Sequence, residues 1–432
     1  MRRDWAIEKL GDFAVHEKGK KPKNQKNKQD EKYKYAYINI EAFEKGIFKS
    51  FTDGEKCNFC SEDDFLMVWD GSRSGLVGKG VSGALGSTLV RINFPGILND
   101  FAYFFLKSKY LEINTRAKGT GTPHVDPGLL WNYEFPIAPI SEQRAIIIKI
   151  EELFSSLDHG IAELKIVQEK LKIYRQSVLK KAFKGLDLVS FEEIVTSSQN
   201  GMAKRKGSEG SEIKVLRLAD ITNLKIDNSS PRSILLTDKE LDKYQLNEGD
   251  LLIIRVNGSI DLVGRFIHVT RKDEVNKWAF CDHLIRIILD KEKSDSRFYY
   301  YFFQLPEVRK FIHQNMVSSA GQNTVSQGTV KAIPVPTISL ENQHQIVQEI
   351  ESRLSVCDKV EQSIKESLEK SEALRQSILK KAFEGNLLSD LEIEKCKQEK
   401  DYESADVLLY RIKSEKIVKE KSDKKIKTKR KN

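Results

Sequence analysis

The sequence predicts an α+β fold: two similar globular domains of mixed helix and strand, joined by two long helices that pair with each other. Three observations carry this expectation. The stretch RQSVLKKAFKG at 175–185 recurs as RQSILKKAFEG at 375–385. Each copy closes a long segment in which apolar residues recur at helical steps. Each segment is preceded by the same series of strand-like runs, turn pairs and glycine-rich loops. A period near 200 is too long for a solenoid and implies two similar domains. A chain of 432 residues also exceeds what one ordinary core serves.

Each half opens with the same features in the same order. DFLMVWDGS…LVGK (64–79) resembles DLLIIRVNGS…LVGR (250–265). Both read as a β-hairpin, because Asp-Gly and Asn-Gly are favoured where two turn residues need positive φ. A short strand with a central arginine follows, LVRI (89–92) and LIRI (284–287). Next come the aromatic runs FAYFFL (101–106) and FYYYFF (298–303), then the glycine-containing loops GTGTPHVDPG (119–128) and AGQNTVSQG (320–328). Phe135-Pro136-Ile137 corresponds to Ile333-Pro334-Val335, and each leads to another proline and a polar helix start.

The segments after these prolines are helical in pattern. From Ser141 to Phe183 the only glycine is Gly160 and there is no proline. Ile146, Ile150, Leu153, Leu157, Ile161, Leu164, Val167 and Leu171 recur at three- and four-residue steps, with near-heptad spacing. Ile346, Ile350, Leu354, Val360, Ile364 and Leu368 keep the step more loosely in the second copy. Gly185 and Gly385 supply the stops. Roughly forty residues at ~1.5 Å each give a rod of about 60 Å. Such a helix needs a partner for its apolar stripe, and two copies supply one another.

Composition excludes several classes. Hydrophobic residues make up 39% and aromatics 9%, which suits a globular protein with polar, solvated helices. The apolar runs IIIKI and LVGRFIHV fall far short of the ~20 residues of a membrane span. MRRDWAIEKLGDF carries no apolar signal core, so a cytoplasmic location is expected. Five scattered cysteines do not form a disulfide framework. Cys57 and Cys60 have metal-like spacing without a second ligand pair, so they read as thiols. The net charge of +9 is almost entirely that of residues 411–432, with 11 Lys/Arg against 3 Asp/Glu. Any anion-binding surface elsewhere must therefore be local. The run KEKSDKKIKTKRKN (419–432) reads as a disordered tail.

Catalytic signatures are missing from the sequence. There is no GxxxxGK[ST] phosphate loop, no dinucleotide fingerprint, and no GxSxG, HExxH or deaminase motif. Nor is there an Asn-Pro-Pro-aromatic or Asp-Pro-Pro-aromatic stretch, which an amino-methyltransferase uses to hold the target nitrogen. Polar loops suited to nucleic acid are present instead. Lys20, Lys21, Lys23, Asn24, Gln25 and Lys26 open the first half, and Lys204, Arg205 and Lys206 open the second. Arginine and lysine read guanine, asparagine and glutamine read adenine, and lysine neutralises phosphate. The hairpin tips add Ser72, Arg73, Asn257 and Ser259; the glycine loops add Thr120, Thr122, His124, Gln322, Asn323 and Thr324. For any single residue a solvated loop is the simpler role. Together they gain weight because both halves place such loops at equivalent positions.

The order Pro-Ile-x-Pro-x-Ser-Glu-Gln (136–143), long helix, RQS[VI]LKKAF[KE]G, then a second round, resembles the specificity subunit of type I restriction–modification systems. Val215-Leu-Arg-Leu-Ala-Asp-Ile221 and Asp406-Val-Leu-Leu-Tyr-Arg-Ile-Lys413 strengthen the resemblance, which covers nearly the whole chain. It implies two target-recognition domains, each reading one half of a bipartite double-stranded DNA sequence. The two long helices are then an antiparallel coiled coil that sets the unread spacer. The implied layout is 1–140 first recognition domain, 141–185 first long helix, 186–338 second recognition domain, 339–388 second long helix, and 389–432 closing helix and basic tail. The subunit is implied to be non-catalytic. Two modification subunits supply methylation of adenine, and motor–nuclease restriction subunits supply cleavage; S-adenosylmethionine, ATP and magnesium belong to those partners. Gln143, Arg175, Gln176, Lys180 and Phe183, with Gln343, Arg375, Gln376, Lys380 and Phe383, are assigned to scaffold and subunit docking. Ser339-Leu-Glu-Asn-Gln343 has two more residues than Ser141-Glu142-Gln143, which leaves the register of the second helix start open. The rivals are a methyltransferase or nuclease with unrecognised motifs, and a coiled-coil scaffold for protein partners.

Overall fold

A computed structural model describes residues 4–416. The run 419–432, read above as a disordered tail, lies outside the described residues. The chain forms two compact units, Met1–Glu163 with Ser367–Asn432, and Leu164–Glu366. The boundary between them falls inside both long helices, Ile140–Ala182 and Leu340–Phe383. Among the described residues no helix is long and apolar enough to cross a membrane.

Both units are α+β, and their strands follow one plan. In the first, an antiparallel sheet runs in the order Val15–Lys18, Leu89–Asn93, Phe65–Val68, Val77–Lys79. In the second the order is Val195–Asn200, Leu284–Leu289, Leu251–Ile254, Phe266–His268. The strand with a central arginine is an inner one in both, which explains its apolar flanks. A further sheet in each unit contains a parallel pair, Tyr35–Ile38 with Gly83–Leu85 and Ser211–Leu216 with Trp278–Phe280. The strand before each long helix pairs with the first strand of the same sequence half: Glu134–Ile137 with Ala6–Lys9, and Pro334–Pro336 with Leu188–Ser190.

One expectation about turns is corrected. Asp70-Gly71 and Asn257-Gly258 do not close two-residue hairpins. The strands pair as predicted, Met67 against Val77 and Ile253 against Phe266, but a wide loop joins them. Its first residues leave the hairpin to pair with the glycine-rich loop instead. Asp70 bridges His124, and Val256 and Asn257 pair with Thr324 and Asn323. A second strand competing for the loop backbone overrode the local turn preference.

The aromatic runs form helices, Asn99–Thr115 and Ser296–Phe302, that pack under the sheets. Phe94, Phe101, Phe105 and Phe135 are buried in the first core, and Phe191, Phe298, Tyr299 and Phe303 in the second. Each core is completed by the end of a long helix from the other copy of the repeat. Phe383 packs edge-on against Phe101 and Phe105, with ring centroids 5.2 and 5.3 Å away. Phe183 packs likewise on Phe298 and Phe302, at 5.1 and 5.3 Å. Burying one such phenylalanine contributes roughly 1.5–3 kcal/mol. The repeated ending is therefore a docking plug for the opposite half.

The helix starts are equally matched. Gln143 and Gln343 are buried, at 0% and 1% exposure. The Leu98 amide donates to Gln143 Oε1 at 3.0 Å, and Gln143 Nε2 donates to the Ala138 carbonyl at 2.7 Å. In the second unit the Asp295 amide donates to Gln343 Oε1 at 2.9 Å, and Gln343 Nε2 donates to the Ile338 carbonyl at 3.0 Å. Leu98 and Asp295 are the residues that cap the two aromatic helices. This settles the register left open above: the glutamines are equivalent, and the helices begin at Ile140 and Leu340.

The long helices pack antiparallel within each unit. Late in the first helix, Arg175 pairs with Asp358 and Glu361 in the middle of the second, at 2.5 and 2.9 Å. Late in the second helix, Arg375 pairs with Asp158 near the middle of the first and lies 4.9 Å over the Phe154 ring. The chain's closing segment returns to the first unit. Residues 405–416 are helical, and Leu408 and Ile412 enter its core.

Candidate nucleic-acid interface

The lysine loop of the first half and the basic loop of the second leave their sheets in the same way. The amide of Gly19 donates to the Leu89 carbonyl, and that of Gly201 to the Leu284 carbonyl, both at 3.0 Å. A Cβ on either glycine would lie 2.1 Å from a backbone oxygen, that of Gly86 or Cys281. Only glycine permits that approach, so both loops are pinned to the framework at their first residue.

Beyond the pin the two loops differ in charge. In the first, Lys23 pairs with Glu55 at 3.5 Å, Asn24 donates to Asp53 at 2.8 Å, and Lys26 pairs with Asp30 at 2.9 Å. The Tyr33 amide and Lys26 hold the Asp30 carboxyl below its usual range. Lys20, Lys21 and Gln25 are exposed. Lys20 and Lys21 have no acidic partner among the described residues. In the second loop Lys204 is held by Glu240 at 2.7 Å, a contact that depresses the Glu240 carboxyl. Arg205 and Lys206 are exposed.

The other two candidate loops come together in each unit. Ser72 and Arg73 are exposed beside the segment of Thr120, Thr122 and His124, where the Gly71 amide donates to the Pro123 carbonyl at 2.7 Å. Arg73 spends its charge on Glu44 at 2.5 Å. In the second unit Asn257 lies opposite Asn323, and Ser259 and Gln322 are exposed. Asn323 is a correction. It is 8% exposed, takes a hydrogen bond from Ser318 at 2.6 Å and donates to the Gly258 carbonyl at 3.1 Å. Its amide ties the two loops to each other and does not face outward. Thr324 is half-buried in the same strand.

The residues assigned to scaffold and docking divide by burial. Gln143, Gln343, Phe183 and Phe383 are buried and serve within the chain. Burial alone would lower the Arg175 pKa, but Asp358 and Glu361 outweigh it and raise it. Gln176, Lys180, Gln376 and Lys380 are exposed.

Three basic residues escaped the sequence reading. Arg217, Arg232 and His283 line a cleft of about 220 Å³ together with Lys204 and Arg205. Arg217 stands in the VLRLADI stretch, but nothing in its spacing shows that it meets the basic loop. Arg232 arrives on the strand Arg232–Leu236 and His283 on the turn after Trp278–Phe280, the two strands that flank Ser211–Leu216.

A family model described as the type I restriction modification DNA specificity domain matches residues 2–165 and again 187–370. The type I restriction enzyme StySPI specificity subunit of Salmonella potsdam is 33% identical over 380 residues, 83% of this chain and 81% of that protein. The EcoKI specificity subunit of Escherichia coli (strain K12) is 27% identical over 378 residues, 82% and 81% of the two chains. A structure solved in work on complex assembly and conformational transition of the type I R-M system superposes with a TM-score of 0.69 at 18% identity. It covers 89% of this chain and 99% of that one. The HsdS subunit from Thermoanaerobacter tengcongensis gives 0.52 at 16% identity, covering 89% and 98%. At those identities the two structures speak to the fold alone. The doubled domain and the extent of the sequence match place the chain in the family of type I restriction–modification specificity subunits.

Proposed function

We propose that this chain selects the DNA sequence on which a type I restriction–modification complex acts, with each unit reading one half of a bipartite target. The observation that carries the reading is the duplication itself. Two units with the same strand order each present a glycine-pinned basic loop and a paired tip loop, and continuous helices join them. The helix pair sets the spacing between the half-sites. Two modification subunits dock on this scaffold and direct methylation to adenine; restriction subunits add cleavage. S-adenosylmethionine, ATP and magnesium act in those partners. The exposed Gln176, Lys180, Gln376 and Lys380 are offered as part of the docking surface, and the loops described above as the DNA surface.

The test is the methylome of a host carrying this chain with its modification subunits. A single bipartite motif with a constant unread spacer is expected. Methylation without such a motif, or methylation by the isolated chain, overturns the reading.

A further inference from the structure

The basic cleft of the second unit has a form that narrows what it holds. Its floor is apolar, with Met202, Val215, Leu218 and Ile234, and its rim carries Lys204, Arg205, Arg217 and Arg232. Two glycines fix the loop that forms one wall. Gly201 is pinned as described above, and a Cβ on Gly207 would lie 1.9 Å from the Leu235 carbonyl oxygen. The Arg205 carbonyl accepts from the Arg232 guanidinium. Arg217 is held in a fork by Asp220, with contacts of 2.8 and 2.6 Å. Among the described residues neither Arg205 nor Arg232 has an acidic partner, so their charge is left for an anion.

A cation is the alternative. Cys281, Asp282 and His283 bring one ligand atom each within 4.8 Å. They lie on the same cleft as Arg205 and Arg232, whose unspent charges oppose a divalent ion, while Lys204 and Arg217 are already paired with Glu240 and Asp220. Cleft shape then separates two DNA contacts. Base edges are recessed in a groove and are met by protruding protein elements. The sugar–phosphate backbone protrudes from the duplex and fits a concave surface, sugar on the apolar floor and phosphate on the rim.

We propose that this cleft, built by Arg205, Arg232 and Arg217, receives a backbone phosphate of the DNA at the second half-site. The proposal rests on the recognition reading above and names the contact class of one site within it. Arg205 and Arg232 position the duplex and carry no sequence information.

The experiment measures binding of the full chain, assembled with its modification subunits, to the duplex found by the methylome and to a scrambled duplex, across a salt series. A panel with single base-pair changes in the second half-site is included. Arg205→Gln and Arg232→Gln are each expected to weaken binding roughly tenfold or more, as loss of one charge-assisted hydrogen bond does. The loss is uniform across the panel, and the salt slope falls by about one per contact removed. Arg232→Lys retains most of the slope. Arg205 projects from a loop, so its variant reads the cleft if the strand variant at 232 misfolds. Unchanged affinity overturns the proposal, and so does a loss confined to particular base pairs, which marks base reading. If the unmutated complex prefers no duplex at any salt, the recognition reading fails, while the change in slope still judges the cleft.

Discussion

Arg175 reaches Asp358 on the opposite long helix at 2.5 Å, and the residues 200 positions away, Arg375 and Asp158, make the same pair with the copies exchanged. Each repeat ending is thus tied to the middle of the other copy's helix. The aspartates are well exposed, so the pairs act more on register than on stability. A double-mutant cycle on Arg175 and Asp358 is expected to give a coupling of about 0.5 kcal/mol, typical of exposed pairs. A coupling at Arg375 and Asp158 that vanishes on Phe154→Leu assigns that site to the ring contact.

The buried glutamines carry more. Gln143→Ala removes the acceptor for the Leu98 amide and the donor for the Ala138 carbonyl in a buried site. The expected loss is about 2–3 kcal/mol by urea unfolding, because buried partners are left unsatisfied. Gln343→Ala is expected to match it in the second unit.

Phe383→Ala empties a site between Phe101 and Phe105. A cost of about 3–5 kcal/mol is expected. Because Phe383 sits in the core of the first unit, amide exchange should rise there, and Phe183→Ala should shift that signature to the second.

Removing one helical turn from within residues 150–175, with the matching turn from 350–375, is expected to alter the spacer in the methylated motif. The half-site sequences stay the same. A change of bases with the spacer kept counts against the helices as the ruler.

His268 supplies a pH dependence. Burial lowers its pKa from 6.5, against a smaller opposing pull from Asp295. A depressed folded pKa means that the folded state prefers neutral imidazole. Its contribution is complete above about pH 6.5 and is lost as the pH falls from there towards the folded value. Melting temperature against pH, compared with His268→Gln, should show the wild type losing more between pH 6.5 and 5.

The duplication, the two helical rods and the succession of features along each half are legible in the sequence, whereas the order of strands within the sheets is not. They rest on local signals: period-3.6 stripes, aromatic runs, glycine stops. The tip turns were misread because Asp-Gly and Asn-Gly preferences are weaker than a backbone ladder supplied by a distant loop. Asn323 stands among the candidate DNA contacts of the glycine loop, and only the fold shows its amide spent between two loops. The basic cleft was invisible, since Arg205, Arg217, Arg232 and His283 are gathered by pairings far apart in the chain.

By itself the sequence determined that this protein is built twice and that each half ends in the same helix. It also carried the family, because the repeated ending and the helix starts are contiguous motifs. The tertiary structure decided where each ending goes. Phe183 and Phe383 plug the halves they do not follow, a result of antiparallel pairing between helices, which no local pattern encodes. It also decided which cations remain free, since a charge is spent or kept according to neighbours that only folding supplies.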